Sequence, residues 1–329
     1  MKNSKNPLLS VILPTYKRPM LLKRAIDSAL QSAPGGDVEV VVVPNGADDS
    51  WKDIAEERKS DLRIKWFYLS KGHACAARNY GLSMSCGKYV RFLDDDDVLL
   101  QEASNQLEML DLAGAEISSA PLLITFADNI DGFGRIASLP DTADFYVAAL
   151  RSVGVGMTEG SVFLRSAVVE KKWREDSTLY DDYLWIISLA KEREWFWVRH
   201  EAPVGEYYQH FFGDRLSRLN RSEFHLRKLV DAIIEKSSSP LSEDRKEAVA
   251  AALLSYAHSA FPACPLYLSR VINDARAISS SAVPMHPIFK NNAWLSRNMI
   301  TLEWILLPLR YASQYNRHIY QRVRRILAS

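Results

Sequence analysis

The chain has 329 residues, with 41 lysines and arginines against 40 aspartates and glutamates, so its formal net charge is +1. The length predicts two domains, or one α/β domain with an extension, and is enough to bury a core without disulfide or metal cross-links. With 47% hydrophobic and 25% charged residues, the composition is that of a folded globular protein and excludes a fully disordered one. The balanced charge lacks the basic excess of nucleic-acid-binding proteins, so we expect no nucleic-acid partner.

The three cysteines, Cys75, Cys86 and Cys264, are too few for a disulfide framework and include no Cys-x-x-Cys pair. We expect free thiols in a reducing compartment. The apolar run at 8–13 is broken by Pro14 and then by a Lys-Arg pair, so it predicts a first strand and not a signal peptide. No apolar stretch reaches the roughly 18 residues of a membrane-spanning helix. These patterns predict a cytoplasmic protein, either soluble or attached to a membrane surface without crossing it.

The first 95 residues alternate between two kinds of segment. Short apolar, β-branched runs predict strands at 8–13, 38–43, 64–69 and 89–93. Apolar residues at helical spacing predict helices between them, at 21–29, around 54–55 and at 74–84. Strands alternating with helices are joined by crossovers, which gives a mostly parallel sheet. A doubly wound α/β domain is therefore predicted.

The rest of the chain changes character. Residues 115–208 mix short strands and glycine-rich stretches with a helix predicted over 179–191. Beyond about residue 215 the pattern is helical, with breaks at the serine- and proline-rich segments 237–240, 262–265 and 284–287. We therefore predict an α/β domain over residues 1–220 and a helical C-terminal region over 221–329.

Polar and acidic loops follow three of the predicted strands. The first strand ends in Pro-Thr-Tyr at 14–16, the second in Pro-Asn-Gly-Ala-Asp-Asp at 44–49, and the fourth in four aspartates at 94–97. Ligands of doubly wound sheets bind outside the carboxyl ends of the strands. We therefore expect the binding site where these three loops converge.

The four aspartates at 94–97 are the main chemical signal. Consecutive carboxylates repel one another unless a cation neutralises them. Asp94 and Asp96 occupy alternate positions, which point the same way on an extended segment, so both can face one ligand. Such oxygen ligands suit Mg²⁺ or Mn²⁺, held together with substrate phosphates. The alternative is a solvated acidic turn whose aspartates cap the next helix, and the run alone does not decide between the two.

Four ordered motifs resemble those of family 2 glycosyltransferases, which have the GT-A fold. They are Ser10-Val-Ile-Leu-Pro-Thr-Tyr16, Val40-Val-Val-Val-Pro-Asn-Gly46, Ala76-Ala-Arg-Asn-Tyr-Gly-Leu82 and Phe92-Leu-Asp-Asp-Asp-Asp-Val98. The resemblance covers roughly residues 8–220 and is far more specific than the aspartates alone. It implies a GT-A sheet, a nucleotide-diphosphate sugar as donor, Mn²⁺ or Mg²⁺ on the Asp-x-Asp motif, and transfer of the sugar with inversion.

The resemblance also implies which residues border the nucleoside of the donor. By position these are Pro14, Thr15 and Tyr16. Asn45 stands where the family commonly has an acidic residue that reads the base, so the base stays open, although a UDP-sugar is favoured. An asparagine can still offer an acceptor and a donor to a pyrimidine edge.

Further donor contacts follow from the same resemblance. Arg78 resembles the family arginine of the loop near the donor, and Asp94 and Asp95 are assigned to the donor, with Asp94 reaching the ribose or the sugar. Asp96 is the metal ligand. The later segment that ends in His210 resembles the family's Tyr-x-x-His segment, in which the histidine binds the metal or the diphosphate.

On the acceptor side, Leu179-Tyr-Asp-Asp-Tyr-Leu-Trp185 resembles the family's Glu-Asp motif at the start of a helix, where an aspartate is the general base. Alignment on Asp-Tyr selects Asp182, which we prefer, and alignment on the tryptophan selects Asp181. Carboxylates favoured by the helix dipole are the structural alternative. Glu159 and Ser161 fall where donor sugar and acceptor meet in the family and are candidate contacts.

Together these resemblances imply metal-assisted transfer of a sugar from a nucleotide-diphosphate donor to a hydroxyl of a glycan or lipid-linked glycan. A catalytically silent module that binds sugar nucleotides is the alternative, to which only Asn45 points. A sugar-phosphate nucleotidyltransferase fits less well, because the loop at 14–18 has none of the glycines that such an enzyme needs.

The tail at 302–329 has no acidic residue after Glu303 but carries five arginines among aromatic and aliphatic residues. A basic amphipathic helix can lie in an anionic membrane interface. Alternatively, it packs its apolar stripe on the domain and leaves its arginines in water. We predict that the tail holds the protein at the inner face of the cell membrane, near a lipid-linked acceptor.

Overall fold

The computed structural model of the chain describes residues 6–126, 134–209, 223–235 and 241–327, with the backbone alone at 153 and 314–327. The chain divides into two compact units, Met1–Arg218 and Leu219–Ser329. No helix of the described segments is both long enough and apolar enough to cross a bilayer.

The first unit contains the strands and the first eight helices. Its strands are β1 (Leu9–Thr15), β2 (Val38–Pro44), β3 (Ile64–Trp66), β4 (Tyr89–Phe92), β5 (Val98–Leu99), β6 (Ile117–Ser119), β7 (Leu122–Phe126), β8 (Arg135–Ala137), β9 (Ser161–Leu164), β10 (Trp197–Arg199) and β11 (Gly205–Gln209). Its helices are α1 (Pro19–Ala29), α2 (Lys52–Glu57), α3 (Ala74–Met84), α4 (Glu102–Ala113), α5 (Phe145–Arg151), α6 (Val153–Gly156), α7 (Arg165–Val168) and α8 (Asp181–Ala190).

Seven of these strands form a central sheet in the order β10-β6-β9-β4-β1-β2-β3. Its described strands run parallel except β9, which is antiparallel to both of its neighbours. A smaller sheet has the order β5-β11-β7-β8. The predicted mostly parallel α/β architecture is confirmed, whereas the smaller sheet was not predicted, because its strands are only two to five residues long.

Helices cover both faces of the central sheet, which is why β2 is buried along its whole length. On one face α1 buries Leu22, Ala25 and Ile26. On the other, α3 lies so close that a Cβ atom at Gly81 would be 2.6 Å from Cγ2 of Ile12. Only a glycine allows this approach. The predicted strands and helices of this part are confirmed, with boundaries that shift by one to three residues at most of their ends.

The parallel register brings the predicted loops to one edge of the sheet. Thr15 at the end of β1 lies beside Pro44 at the end of β2. The backbone N–H of Leu93, just after β4, donates to the carbonyl of Ile12 in β1. The segments at 14–16, 44–49 and 94–97 therefore follow three adjacent strands at the same end, as predicted.

The second unit is helical. Its helices are α9 (Glu223–Ile234), α10 (Glu243–Ala260), α11 (Pro265–Ile278), α12 (Pro287–Lys290), α13 (Ala293–Arg297) and α14 (Met299–Leu327). The breaks predicted at 262–265 and 284–287 are confirmed, because α11 and α12 each begin at a proline, whose missing N–H is tolerated there. The break predicted at 237–240 lies outside the described residues.

Candidate active site

Asp95 ties the loop after β1 to the loop after β4. Its Oδ2 accepts hydrogen bonds from the Thr15 hydroxyl at 2.7 Å and the Tyr16 backbone N–H at 3.3 Å. Its Oδ1 accepts from Nη1 of Arg18 at 3.1 Å. Burial raises the pKa of the Asp95 carboxyl to about 6, although Arg18 and the bond from Thr15 lower it. These bonds make Asp95 the link that holds the two loops together at the predicted donor edge.

The loop after β2 is held against the same point. The backbone N–H and the Nδ2 of Asn45 both donate to the Thr15 carbonyl, at 3.1 and 3.0 Å. Gly46 adopts a left-handed φ of 72°, and its carbonyl accepts a 3.0 Å bond from the Tyr68 hydroxyl. The Tyr16 ring packs beside Gly46 and is about half exposed. Because a carbonyl can only accept, this contact orients the Asn45 amide with one N–H of Nδ2 on Thr15, and Oδ1 is its acceptor.

Three carboxylates of the aspartate run form a compact cluster. Asp94, Asp96 and Asp97 each offer one oxygen, and these oxygens lie within 4.8 Å of one another. Oδ2 of Asp96 is 2.9 Å from Nη1 of Arg18. Oδ1 of Asp97 accepts the Tyr208 backbone N–H at 2.8 Å. This set of hard oxygen donors fits a divalent cation such as Mg²⁺ or Mn²⁺.

The carboxylate cluster differs from the predicted metal ligands, Asp96 and His210, at two positions. Asp97 was not predicted as a ligand, yet burial, then Glu159 and Asp96, raise the pKa of its carboxyl well above the usual range. His210, the predicted second metal ligand, lies outside the described residues.

Arg78 joins the aspartate run to the start of α8. Its side chain is almost fully buried, and Nη2 donates to Oδ1 of Asp94 at 2.6 Å while Nη1 donates to Oδ2 of Asp181 at 2.8 Å. Nη2 also lies 3.6 Å from Oδ1 of Asp182. The guanidinium stacks over Trp173, 4.6 Å from the ring centroid. One buried cation therefore faces three carboxylates that lie up to 104 positions away from it in the chain, and it brings the donor and acceptor candidates together.

Asp181 and Asp182 open α8 but have different surroundings. Asp181 accepts from Arg78 and lies 3.5 Å from the Cys75 thiol. Oδ1 of Asp182 is buried and has no hydrogen-bond partner among the described residues. Burial raises the pKa of Asp182 well above its usual range, while Arg78 opposes the shift and Asp181 adds to it. Asp182 is thus the carboxylate with unused capacity to accept a proton.

Glu159 and Ser161 lie on either side of Gly160, before and at the start of β9. Glu159 is buried, and within the part of the chain that the structure describes its Oε1 has no hydrogen-bond partner. Burial, followed by the charge of Asp94, raises the pKa of Glu159 to about 8. Ser161 is fully buried, with its Oγ 2.8 Å from Oγ of Ser119. The structure thus places Glu159 electrostatically next to the aspartate run, whereas the Ser161 hydroxyl is already occupied inside the protein.

Arg18 is the residue of this edge that the sequence did not single out. It follows Lys17, whose φ of 56° is left-handed and whose backbone N–H donates to Oδ2 of Asp48 at 2.6 Å. This turn returns the chain toward Asp95 and Asp96. The only signal in the sequence was a basic pair directly after the first strand's Pro-Thr-Tyr, facing an acidic run that needed counter-charges.

Comparisons with known proteins agree with this geometry. Residues 10–136 match the sequence model of the family described as Glycosyl transferase family 2. The chain is 30% identical to the Campylobacter jejuni GalNAc(5)-diNAcBac-PP-undecaprenol beta-1,3-glucosyltransferase over 199 residues. This match covers 58% of this chain and 62% of that protein. Over 130 residues the chain is 35% identical to the Staphylococcus aureus poly(ribitol-phosphate) beta-N-acetylglucosaminyltransferase TarP, which is 39% of this chain and 38% of that protein. The matches thus span less than two thirds of either relative.

Among solved structures, the chain is similar to S. aureus TarS in complex with UDP-GlcNAc. The TM-score is 0.61 at 18% identity, and the match covers 81% of this chain and 79% of that one. Such a similarity concerns the fold, and it confirms the predicted α/β architecture. Residues 10–136 thus match a glycosyl transferase family 2 domain, and the chain has an α/β fold similar to that of TarS.

Proposed function

We propose that this protein is a glycosyltransferase that moves a sugar from a nucleotide-diphosphate donor to a hydroxyl of a glycan or lipid-linked glycan. One observation carries the proposal. Arg78 binds Asp94 of the metal-type cluster and Asp181 at the start of α8 with the same guanidinium, and lies 3.6 Å from Asp182. A donor site and a candidate base are thereby built around one buried cation. Residues 1–220 would be the catalytic part of the chain.

The carboxylates at 94, 96 and 97 would hold Mn²⁺ or Mg²⁺, with His210 as a further proposed ligand. Bound there, the ion would neutralise charge on the departing nucleoside diphosphate. The protein's own contribution is to keep the carboxylates converged. Arg78 fixes Asp94, and the Tyr208 N–H holds Asp97.

We propose a uridine donor. Nδ2 of Asn45 donates to the Thr15 carbonyl, and its Oδ1 can accept a hydrogen bond from an N–H of the base. Uracil offers such an N–H at its imide edge. The half-exposed Tyr16 ring, beside Gly46, is available to stack on the base. The neighbouring fold of S. aureus TarS in complex with UDP-GlcNAc supports the same choice.

Asp182 is the proposed general base. It would take the proton of the acceptor hydroxyl as that oxygen attacks the sugar carbon from the side opposite the diphosphate, which inverts the configuration. A base works best when its pKa is raised toward the working pH, and burial shifts Asp182 in that direction. Asp181 would position Arg78, with which it shares a 2.8 Å bond. Glu159, in the same electrostatic cluster, is the proposed contact at the sugar.

The proposed acceptor is a lipid-linked glycan at the inner face of the cell membrane. The C. jejuni relative is named for an undecaprenol-diphosphate-linked substrate, and it matches more than half of this chain. Residues 221–329 would then serve attachment instead of chemistry, with contact to the membrane through 302–329.

Donor hydrolysis and transfer measured with a panel of nucleotide sugars, with and without added Mn²⁺, test the proposal. We expect activity with a UDP-sugar that requires the metal and is lost in Asp96→Ala. Glu56→Ala, at an exposed carboxylate on α2, is the control and keeps full activity. Thermal stabilisation by a nucleotide sugar without any turnover would show a binding module instead, and metal-independent turnover would remove the assignment of Asp96.

A further inference from the structure

The first half of α14 is fixed in rotation by a buried ion cluster within the second unit. Glu303 is fully buried and pairs with both Arg310, seven positions on, and His258 of α10. Arg310 also donates to the His258 carbonyl at 2.6 Å. A buried carboxylate held by two partners is costly to displace. The side of α14 that carries Glu303 and Arg310 therefore faces α10.

The opposite side of α14 is apolar and exposed. It is formed by residues spaced at four, seven, eight and eleven positions from the first, which places them on one side of a helix: Thr301, Ile305, Pro308, Leu309 and Ala312. Ile305 and Leu309 are each 67% exposed. None of the five is charged. We call these five residues the outer face of α14.

The chain around the outer face is strongly basic. Residues 304–329 contain no acidic residue and five arginines, of which Arg310 is paired with Glu303 inside the unit and four lie farther along the sequence. The backbone of α14 continues as a helix to Leu327, and the sequence continues the apolar spacing of the outer face with Ile319, Val323 and Leu327. An exposed apolar stripe on a basic helix is complementary to a surface that is both apolar and anionic.

We propose that the outer face of α14 inserts into the interface of a bilayer that contains anionic lipids. The inference deepens the membrane attachment in the proposed function and rests on it. A second copy of the chain is a poorer occupant, because two identical helices would bring together eight arginines from residues 311–329, with no acidic residue of the same segments to offset them. Anionic headgroups supply the missing charge, and the acyl region takes up Ile305 and Leu309.

Flotation of the full chain with phosphatidylcholine vesicles, with and without phosphatidylglycerol, tests the inference. We expect binding that requires phosphatidylglycerol and weakens with salt. In the double variant Ile305→Asp/Leu309→Asp, binding to the anionic vesicles should fall by roughly tenfold or more. Leu112→Asp, at a more exposed leucine on α4, is the matched control and should bind as the wild type does.

Two further measurements separate the possible failures. Thermal unfolding and metal-dependent donor hydrolysis should be unchanged in the double variant, because the outer face is exposed and lies in the second unit. If the wild-type protein floats but hydrolyses no donor, the result contradicts the proposed function and leaves the proposed membrane insertion intact. If the wild type and the double variant float equally, the proposed insertion of the outer face is wrong. It is also wrong if the wild type is a dimer that does not float and the double variant is a monomer.

Discussion

Buried carboxylates lie at both ends of the central sheet, and their pKa values are shifted in opposite directions. Toward the amino ends of the strands, Glu39 of β2 accepts from Lys65, from the Ser10 hydroxyl at 2.5 Å and from the Cys86 backbone N–H at 2.6 Å. Burial alone would raise the pKa of Glu39, but these bonds outweigh it and lower the pKa. At the carboxyl ends, burial dominates and raises the pKa of Asp95 and Glu159.

The difference separates a structural carboxylate from a functional cluster. At the amino end the carboxylate of Glu39 accepts from three residues and is satisfied within the protein. At the carboxyl end three carboxylates share the cation of Arg78, and the buried oxygens Oε1 of Glu159 and Oδ1 of Asp182 have no hydrogen-bond partner in the described segments. Such unmet demand for protons or cations is a common mark of a binding or catalytic site. Substitutions at four positions test this difference between the two ends of the sheet.

The largest effect is expected at Asp182. Asp182→Asn removes the proposed base, so turnover should fall by about a thousandfold. Binding of donor and Mn²⁺, measured by calorimetry, should be retained. Asp181→Asn is the neighbouring control and should lose less, because Asp181 is already bound to Arg78. A larger loss in Asp181→Asn would move the role of base to that residue.

Arg78 comes next, because its guanidinium contacts three carboxylates. Arg78→Gln leaves those charges buried together, and we expect the free energy of unfolding to fall by about 3 kcal/mol or more in urea titrations. Arg78→Lys should recover part of this loss but not the turnover, since an ammonium lacks the planar fork that reaches Asp94 and Asp181 together.

Arg63→Gln is the matched control for Arg78. Arg63 pairs with a single exposed partner, Asp61, at the surface. Its loss should leave both stability and turnover unchanged within error. If Arg78→Gln behaved like Arg63→Gln, the carboxylates around Arg78 would have to be neutralised by another group, and the proposed network would be wrong.

At the amino end, Glu39→Gln should destabilise the protein by about 2 kcal/mol near neutral pH, because it removes a buried, charged acceptor. The pKa of Glu39 is lower in the folded state, so its contribution is present above the unfolded pKa of roughly 4.3 and is lost as the pH falls through the folded value. The difference between wild type and variant should therefore shrink in acid.

Glu57→Gln is the control for this pH dependence. Glu57 also pairs with a lysine, Lys23, but at an exposed site, where ion pairs contribute little. Urea unfolding of both variants across the acid range distinguishes them. A loss in Glu39→Gln that does not change with pH would mean that packing, and not charge, accounts for the stability at this end of the sheet.

Much of the fold and part of the site could be predicted from local pattern. Apolar period and turn residues located β1, β2 and α3, and the aspartate run with its position after a buried strand indicated the cation-type cluster. These features depend on neighbours in sequence. The strands of the smaller sheet could not be predicted, since two to five residues carry too little periodicity.

The different contacts of the four aspartates at 94–97 also could not be predicted. It depends on partners far away in sequence, since Asp95 is bound by Thr15 across 80 positions and Asp97 by Tyr208 across 111. Arg18 is a similar case. Its placement requires a left-handed residue at Lys17 and the side chain of Asp48, 31 positions later, to hold the turn. Only the assembled sheet edge brings these groups together.

Arg18 provides the smallest and most selective test. Its Nη1 lies 2.9 Å from Oδ2 of Asp96 and 3.1 Å from Oδ1 of Asp95, so a metal ion that binds Asp96 competes with the guanidinium. Arg18→Gln should therefore bind Mn²⁺ about two- to fivefold more tightly in the absence of nucleotide, as measured by calorimetry. Lys17→Gln changes the net charge equally and serves as the control. The Lys17 ammonium lies over the Tyr16 ring, so this substitution should leave the affinity for Mn²⁺ unchanged. Weaker binding in Arg18→Gln would show instead that the guanidinium holds Asp96 in its ligating position, which would make Arg18 part of the cluster and not its competitor.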